Sequence, residues 1–101
     1  NICCCGYGAR RNYKTAVKWF RLAAEQGFAD AQFHLGVMYS QGTGVRQDAI
    51  SARMWFSVAA SLGLLPASLA RDKIALHMTR SQIAEAQRLA DECVRKNFDK
   101  C

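Results

Sequence analysis

From Ala31 to Gly63 the chain reads AQFHLGVMYSQGTGVRQDAISARMWFSVAASLG, and subtracting 36 from these numbers lands on an earlier copy of the same pattern. Gly42 falls on Gly6, Gly44 on Gly8, Arg46 on Arg10, Ala52 on Ala16, Trp55 on Trp19 and Phe56 on Phe20. Ala59 and Ala60 fall on Ala23 and Ala24, Gly63 on Gly27, and Ala67 on Ala31. The identities run without a gap and fall on residue types with demanding geometry. Repetition at such a period marks a repeat architecture.

Each recurring residue has a physical task. Gly42 and Gly44 suit a tight turn with positive φ. Asp48, like Asn12 in the earlier copy, stands where an N-cap is needed for the helix that follows. That helix carries Ala52, Trp55, Phe56, Ala59 and Ala60 at i, i+3, i+4, i+7 and i+8. Gly27 and Gly63 end such helices as C′ residues. The preceding helix puts Ala31, Leu35, Met38 and Tyr39 on one face, and Gly36 within it predicts a close helix crossing, since it costs about 1 kcal/mol against alanine. The unit is helix A, glycine turn, helix B, glycine stop. Its spacing puts Trp19 and Trp55 in the inter-helix core, where truncation of either to alanine costs about 3–5 kcal/mol.

The segment Ala31–Gly63 resembles one full Sel-one-like repeat, a relative of the tetratricopeptide repeat. The resemblance rests on Ala31, Leu35-Gly36, Tyr39, Gly42-Thr43-Gly44-Val45, Asp48, Ala52, Trp55-Phe56, Ala59-Ala60 and Gly63. The earlier copy matches from Gly6 to Gly27, with Ala9 where the family has valine, and the offset sets Cys3 in the place of the aromatic. The tri-cysteine Cys3-Cys4-Cys5 is thereby read as helix-end packing. The expected fold is all-α, a right-handed α-α superhelix (solenoid) of antiparallel helix pairs with a C-terminal capping helix. Residues 1–27 are read as a partial first repeat, 28–63 as a full repeat, 64–98 as a C-terminal cap pair and 99–101 as a tail.

The cap assignment rests on a break in the pattern. Pro66 fits the first turn of a helix, but Arg71 and Asp72 then stand where Leu35 and Gly36 stood, and no glycine turn follows. Thr79 and Gln82 form a T-x-x-Q capping box, opening a helix with Ile83, Ala86, Leu89, Ala90, Cys93 and Val94 on one side. Glu85 with Arg88, and Asp91 with Arg95, are spaced as surface ion pairs. A solenoid needs an atypical last repeat to cover its final apolar face. The segment from Ala70 to Lys96 also resembles the closing helices of bacterial members of the family.

Composition agrees with this reading. The chain of 101 residues is 50% hydrophobic with one proline, which favours packed helices over sheet. It has no run of the roughly 18 apolar residues that a membrane span requires. It begins with Asn1 rather than methionine, which points to a fragment or processed form, and the exposed N-terminal face is then expected to be apolar and able to self-associate. The net charge of +6 is scattered. With no aromatic–basic interleaving, nucleic acid is not expected as a partner. The five cysteines match no paired zinc pattern, and Cys93 can reach Cys101 if the tail folds back.

No residue set reads as catalytic. The Gly-x-Gly turns lie between helices, where a dinucleotide fingerprint needs a preceding strand. His34 and His77 have no ligand partners in sequence, the serines lack a nucleophile elbow, and no carboxylate pair stands out; neither cofactor nor metal is expected. On a helical wheel Asp30, His34, Val37 and Gln41 form a stripe away from Leu35 and Tyr39, and the repeat offset adds Ala70, Lys73 and His77. These seven are the candidate concave face for a peptide or protein partner. The resemblance implies a non-catalytic scaffold or adaptor, in a bacterial cytoplasm or periplasm. A second reading is a basic surface for an anionic polymer or membrane, using Lys14, Lys18 and Arg21. A third, a cysteine-rich β-lactamase-like relative, is disfavoured because no cysteine recurs at the repeat offset.

Overall fold

A computed structural model describes residues 13–99 and 101, in which five helices follow one another. They are α1 (Tyr13–Glu25), α2 (Ala29–Gln41), α3 (Ala49–Ser61), α4 (Leu65–Ala75) and α5 (Arg80–Arg95). There is no strand among the described residues. Asn12, the earlier glycine turn and the tri-cysteine lie outside them.

Helix α3 is the axis of the molecule. Its sequence AISARMWFSVAAS is apolar on nearly every side, and Ala52, Met54, Trp55, Phe56, Ser57, Val58 and Ala59 are all buried. A helix apolar all round must be enclosed, and α3 packs against α2, α4 and α5 together. Asp48 caps it as the sequence predicts: its Oδ1 accepts from the backbone N–H groups of Ile50 and Ser51, and its Oδ2 accepts from the Ser51 hydroxyl. Gly27 and Gly63 follow their helices with left-handed φ of 91° and 95°.

Two glycines fix how the elements meet. Gly44 has φ of 75°, and a β-carbon there would lie 2.7 Å from the carbonyl oxygen of Tyr13, so the turn seats directly on the start of α1. Gly36 is the helix-crossing residue. A β-carbon at Gly36 would lie 2.5 Å from Cε1 of Phe56 and 3.1 Å from the Ala52 carbonyl oxygen, so the missing side chain is what lets α2 and α3 close together.

That lock is absent one repeat later, and the topology changes accordingly. Asp72 replaces Gly36, Glu92 replaces Phe56 and Arg71 replaces Leu35. Helices α4 and α5 therefore do not pack face to face as α2 and α3 do; each packs on α3 instead. Helix α5 brings Ala86, Ala90 and Cys93 inward, small residues that permit close approach. The Thr79–Gln82 capping box forms as read from the sequence. Beyond α5 the tail folds back, with Cys93 disulfide-bonded to Cys101 and Phe98 lying against Gly27. Left without α5 over it, the outer face of α4 exposes Leu65, Leu69 and Leu76 by 75%, 71% and 81%.

Three sequence expectations need correction. Trp55 is 1% exposed and joins the core with Ala90 and Cys93 of α5, but Trp19 is 67% exposed. Helix α1 packs on α2 and makes no comparable contact with α3, so the enclosure that α5 gives Trp55 has no counterpart around Trp19. On α5, Val94 is largely exposed rather than on the packed side. Glu85 does pair with Arg88, at 2.6 Å, but Arg88 also reaches Glu92 at 3.1 Å, and Asp91 accepts from Gln87 instead of pairing with Arg95.

Two substitutions separate these contributions. Trp55→Ala is expected to lower unfolding free energy by about 3–5 kcal/mol, and Trp19→Ala by no more than about 1 kcal/mol; equal losses in urea titrations would contradict the asymmetry. Gly36→Ala adds a methyl group against a ring and a backbone oxygen. Overpacking of about 1–3 kcal/mol outweighs the gain of about 1 kcal/mol in helix propensity, so the melting temperature falls. A rise would show that α2 and α3 can separate freely.

Candidate functional site

The candidate concave residues divide between two depressions. One, about 670 Å³, lies where α2, α3 and α4 meet. From α2 it takes Val37, Ser40 and Gln41, from α4 it takes Ala70, Lys73 and Ile74, and from the turn after α4 it takes His77. Gln47 of the glycine turn closes one end, and Ala49 and Phe56 of α3 form part of the floor. Five of the seven predicted residues, Val37, Gln41, Ala70, Lys73 and His77, thus line one cleft.

Asp30 and His34 do not. They border a second depression between α1 and α2 with Phe20, Ala23, Phe28 and Leu64. His34 stacks on Phe20, ring centroids 5.1 Å apart, so its ring covers apolar surface of α1 and does not line the α2–α3–α4 cleft. Asp30 sits in the first turn of α2, where a carboxylate is favoured by the helix dipole. Residues one turn apart share a helix face, so what separates Asp30 and His34 from Val37 and Gln41 is position along α2, the first pair lying beside α1 and the second beside α4.

The stripe omits Ser40 and Ile74 on its own two helices and Gln47, Ala49 and Phe56 from other elements. Phe56 was read as core, and it is core on one side while presenting its edge to the cleft on the other. Ile74 follows Ala70 by one turn of α4, a spacing visible in the sequence once Ala70 is chosen. Gln47 comes from the turn, where no helical period applies.

The polar groups of the α2–α3–α4 cleft differ in commitment. Gln47 donates to the Ser40 carbonyl oxygen and the Ser40 hydroxyl donates to the Val37 carbonyl oxygen. Lys73, His77 and Gln41 make no side-chain hydrogen bond or ion pair among the described residues. Neither lining carboxylate nor nearby acid balances Lys73: Asp72 pairs with Arg71 at 3.3 Å, and Asp48 is spent on its cap. Deeper in the α3–α4 seam Arg53 donates to the Arg71 carbonyl oxygen at 2.8 Å; burial, and next the charge of Arg71, push its pKa below the ordinary arginine value. Among the described residues no three His, Cys, Asp or Glu side chains gather as metal ligands.

The basic stretch of α1 is less available than its spacing suggests. Lys14 and Lys18 are exposed, but the Arg21 guanidinium donates to the Tyr39 hydroxyl and is half-buried between α1 and α2. No described helix is long and apolar enough to cross a membrane.

These features define an all-α helical-repeat solenoid. The Sel1 repeat model matches residues 2–28 and 29–64, and the chain belongs to the Sel1 repeat family. It is 47% identical over 56 residues to protein sel-1 homolog 2 of Rattus norvegicus, covering 54% of this chain and 8% of that protein. It is 33% identical over 85 residues to chitin synthase regulatory factor 3 of Schizosaccharomyces pombe, covering 83% and 9%. A component of an ERAD-associated E3 ubiquitin-protein ligase of Arabidopsis thaliana is 43% identical over 44 residues, covering 43% and 7%. Among solved structures, c5321, a protective antigen present in uropathogenic Escherichia coli strains with an SLR fold, superposes with a TM-score of 0.80 at 30% identity, over 85% of this chain and 20% of that one. The chain therefore spans less than a tenth of the length of these curated relatives.

Proposed function

We propose that the chain is a non-catalytic adaptor module that holds a peptide or protein partner in the cleft between α2, α3 and α4. The observation that carries this reading is the cleft itself: an apolar floor containing Phe56, flanked by the uncommitted side chains of Gln41, Lys73 and His77. An apolar depression with a few convergent polar groups is the usual form of a binding site. The relatives support it by their names, which describe a regulatory factor and a ligase component, roles exercised through other proteins. The residues beyond the described helices, and the longer proteins in which such repeats occur, bear on which partner is bound.

The apolar side chains exposed on α1, Tyr13, Trp19 and Leu22, are surface for further contact and support self-association as a secondary property. The basic-surface reading is weaker, since Arg21 is engaged with Tyr39.

Filling the cleft tests the proposal. Val37→Arg places a long charged side chain over the floor, and Leu62→Arg on the exposed α3–α4 turn serves as a control. Affinity capture by immobilised protein is expected to lose specific partners about ten-fold or more with Val37→Arg, a loss of about 1.4 kcal/mol or more, while the control recovers them. Unchanged recovery by a Val37→Arg variant with native circular dichroism would sink the assignment of the cleft.

A further inference from the structure

The charge distribution of this cleft selects among peptides, on the reading of it as the partner site. Its floor is apolar, and Lys73 stands on the α4 wall as a cation with no carboxylate among the lining residues and no partner among the described residues. The acid beside it in the sequence, Asp72, is paired with Arg71. Lys73 lies in the last turn of α4, between two other lining residues, Ala70 before it on the helix and His77 in the turn that follows. A bound chain can therefore continue past it in both directions, which suits a side chain better than a chain terminus.

We propose that the occupant is a short apolar peptide segment with an internal aspartate or glutamate, whose apolar neighbours lie over Phe56 and Ile74 and whose carboxylate meets the Lys73 ammonium. The amide of Gln41 on the facing wall is a second donor within the same cleft, and it makes no side-chain hydrogen bond among the described residues. Apolar contact supplies the area, and the ammonium fixes register and sign of charge, as expected where polar groups are few and orient the ligand. The overall positive charge of the chain adds long-range attraction for an acidic segment, so the test must separate that field from Lys73.

Fluorescence anisotropy with fluorescein-labelled, C-terminally amidated nonapeptides provides the separation. One carries a central glutamate between leucines; matched peptides carry glutamine or lysine there, and a fourth is the glutamine peptide with a free C-terminal carboxylate. The glutamate peptide is expected to bind the full chain about ten-fold more tightly than the glutamine peptide, the size of a charge-assisted hydrogen bond. Lys73→Gln should reduce that ratio to within about two-fold without changing glutamine-peptide binding, while the Lys14→Gln/Lys18→Gln variant retains it. Equal binding of the glutamate and glutamine peptides overturns the proposal, as does a preference that survives Lys73→Gln or that disappears with the Lys14/Lys18 variant. Tightest binding by the free-carboxylate peptide replaces the internal acid with a chain terminus. If no peptide binds while Val37→Arg still abolishes partner capture, the acidic-peptide proposal fails and the cleft remains the partner site; if Val37→Arg has no effect on capture, the cleft reading itself fails.

Discussion

The contact between Gly36 and the ring of Phe56 governs the arrangement of everything after α1. Without a β-carbon at Gly36 the aromatic ring enters the space that a side chain would occupy, and α2 and α3 become one packed pair. Once α3 is held there, its remaining apolar faces must be covered by other elements, and α4 and α5 each take one. The replacement of the pair by Asp72 and Glu92 at the next offset is as consequential as its presence here. Two carboxylates cannot reproduce a ring seated on a glycine, and the close approach of α4 and α5 would desolvate both. Packing on α3 offers α5 a better surface, lined on its own side by Ala86, Ala90 and Cys93.

The same displacement shapes the functional surface. With α5 withdrawn to α3, the leucines of α4 remain uncovered on one side, and the other side of α4 faces α2 across the cleft. The wall carrying Lys73 thus lies where the pattern departs from the repeat, while the floor provided by Phe56 is held by the contact with Gly36. Phe56 serves twice, closing the α2–α3 crossing and supplying an apolar surface to whatever occupies the cleft.

The repeat made the fold readable. Ten residues recurring at one offset, with turn glycines and caps in register, determine helix order and boundaries with little help from tertiary structure, and the Asp48 cap and the Thr79–Gln82 box are local interactions that depend only on nearby residues. Trp19 was not readable in this way. A helical period reports which face of a helix is apolar, whereas burial also requires a neighbour to arrive, and the neighbour that encloses Trp55 comes from α5, distant in sequence. The candidate site was legible to the extent that it lies on α2 and α4: Val37, Gln41, Ala70, Lys73 and His77 line one cleft. His34 and Asp30 lie in another because a wheel gives angle but not position along a crossing. Gln47 and Phe56 belong to a turn and to a core helix, and only the crossing of three elements brings them to the same place. Of the two ion pairs expected on α5, the one that failed competes with Gln87, which captures Asp91 from the turn before.

The attachment of α4 gives the cleft mechanical asymmetry. One wall and the floor belong to α2 and α3, which are locked at Gly36 and braced by α5. The other wall belongs to a helix fastened chiefly to α3, with its outer face uncovered. Proteins open locally in cooperative units, and elements with few buried contacts open at lower free energy than the core. Helix α4 buries only Ala67, against four residues on α2 and seven on α3, so the wall it forms is the least anchored part of the cleft.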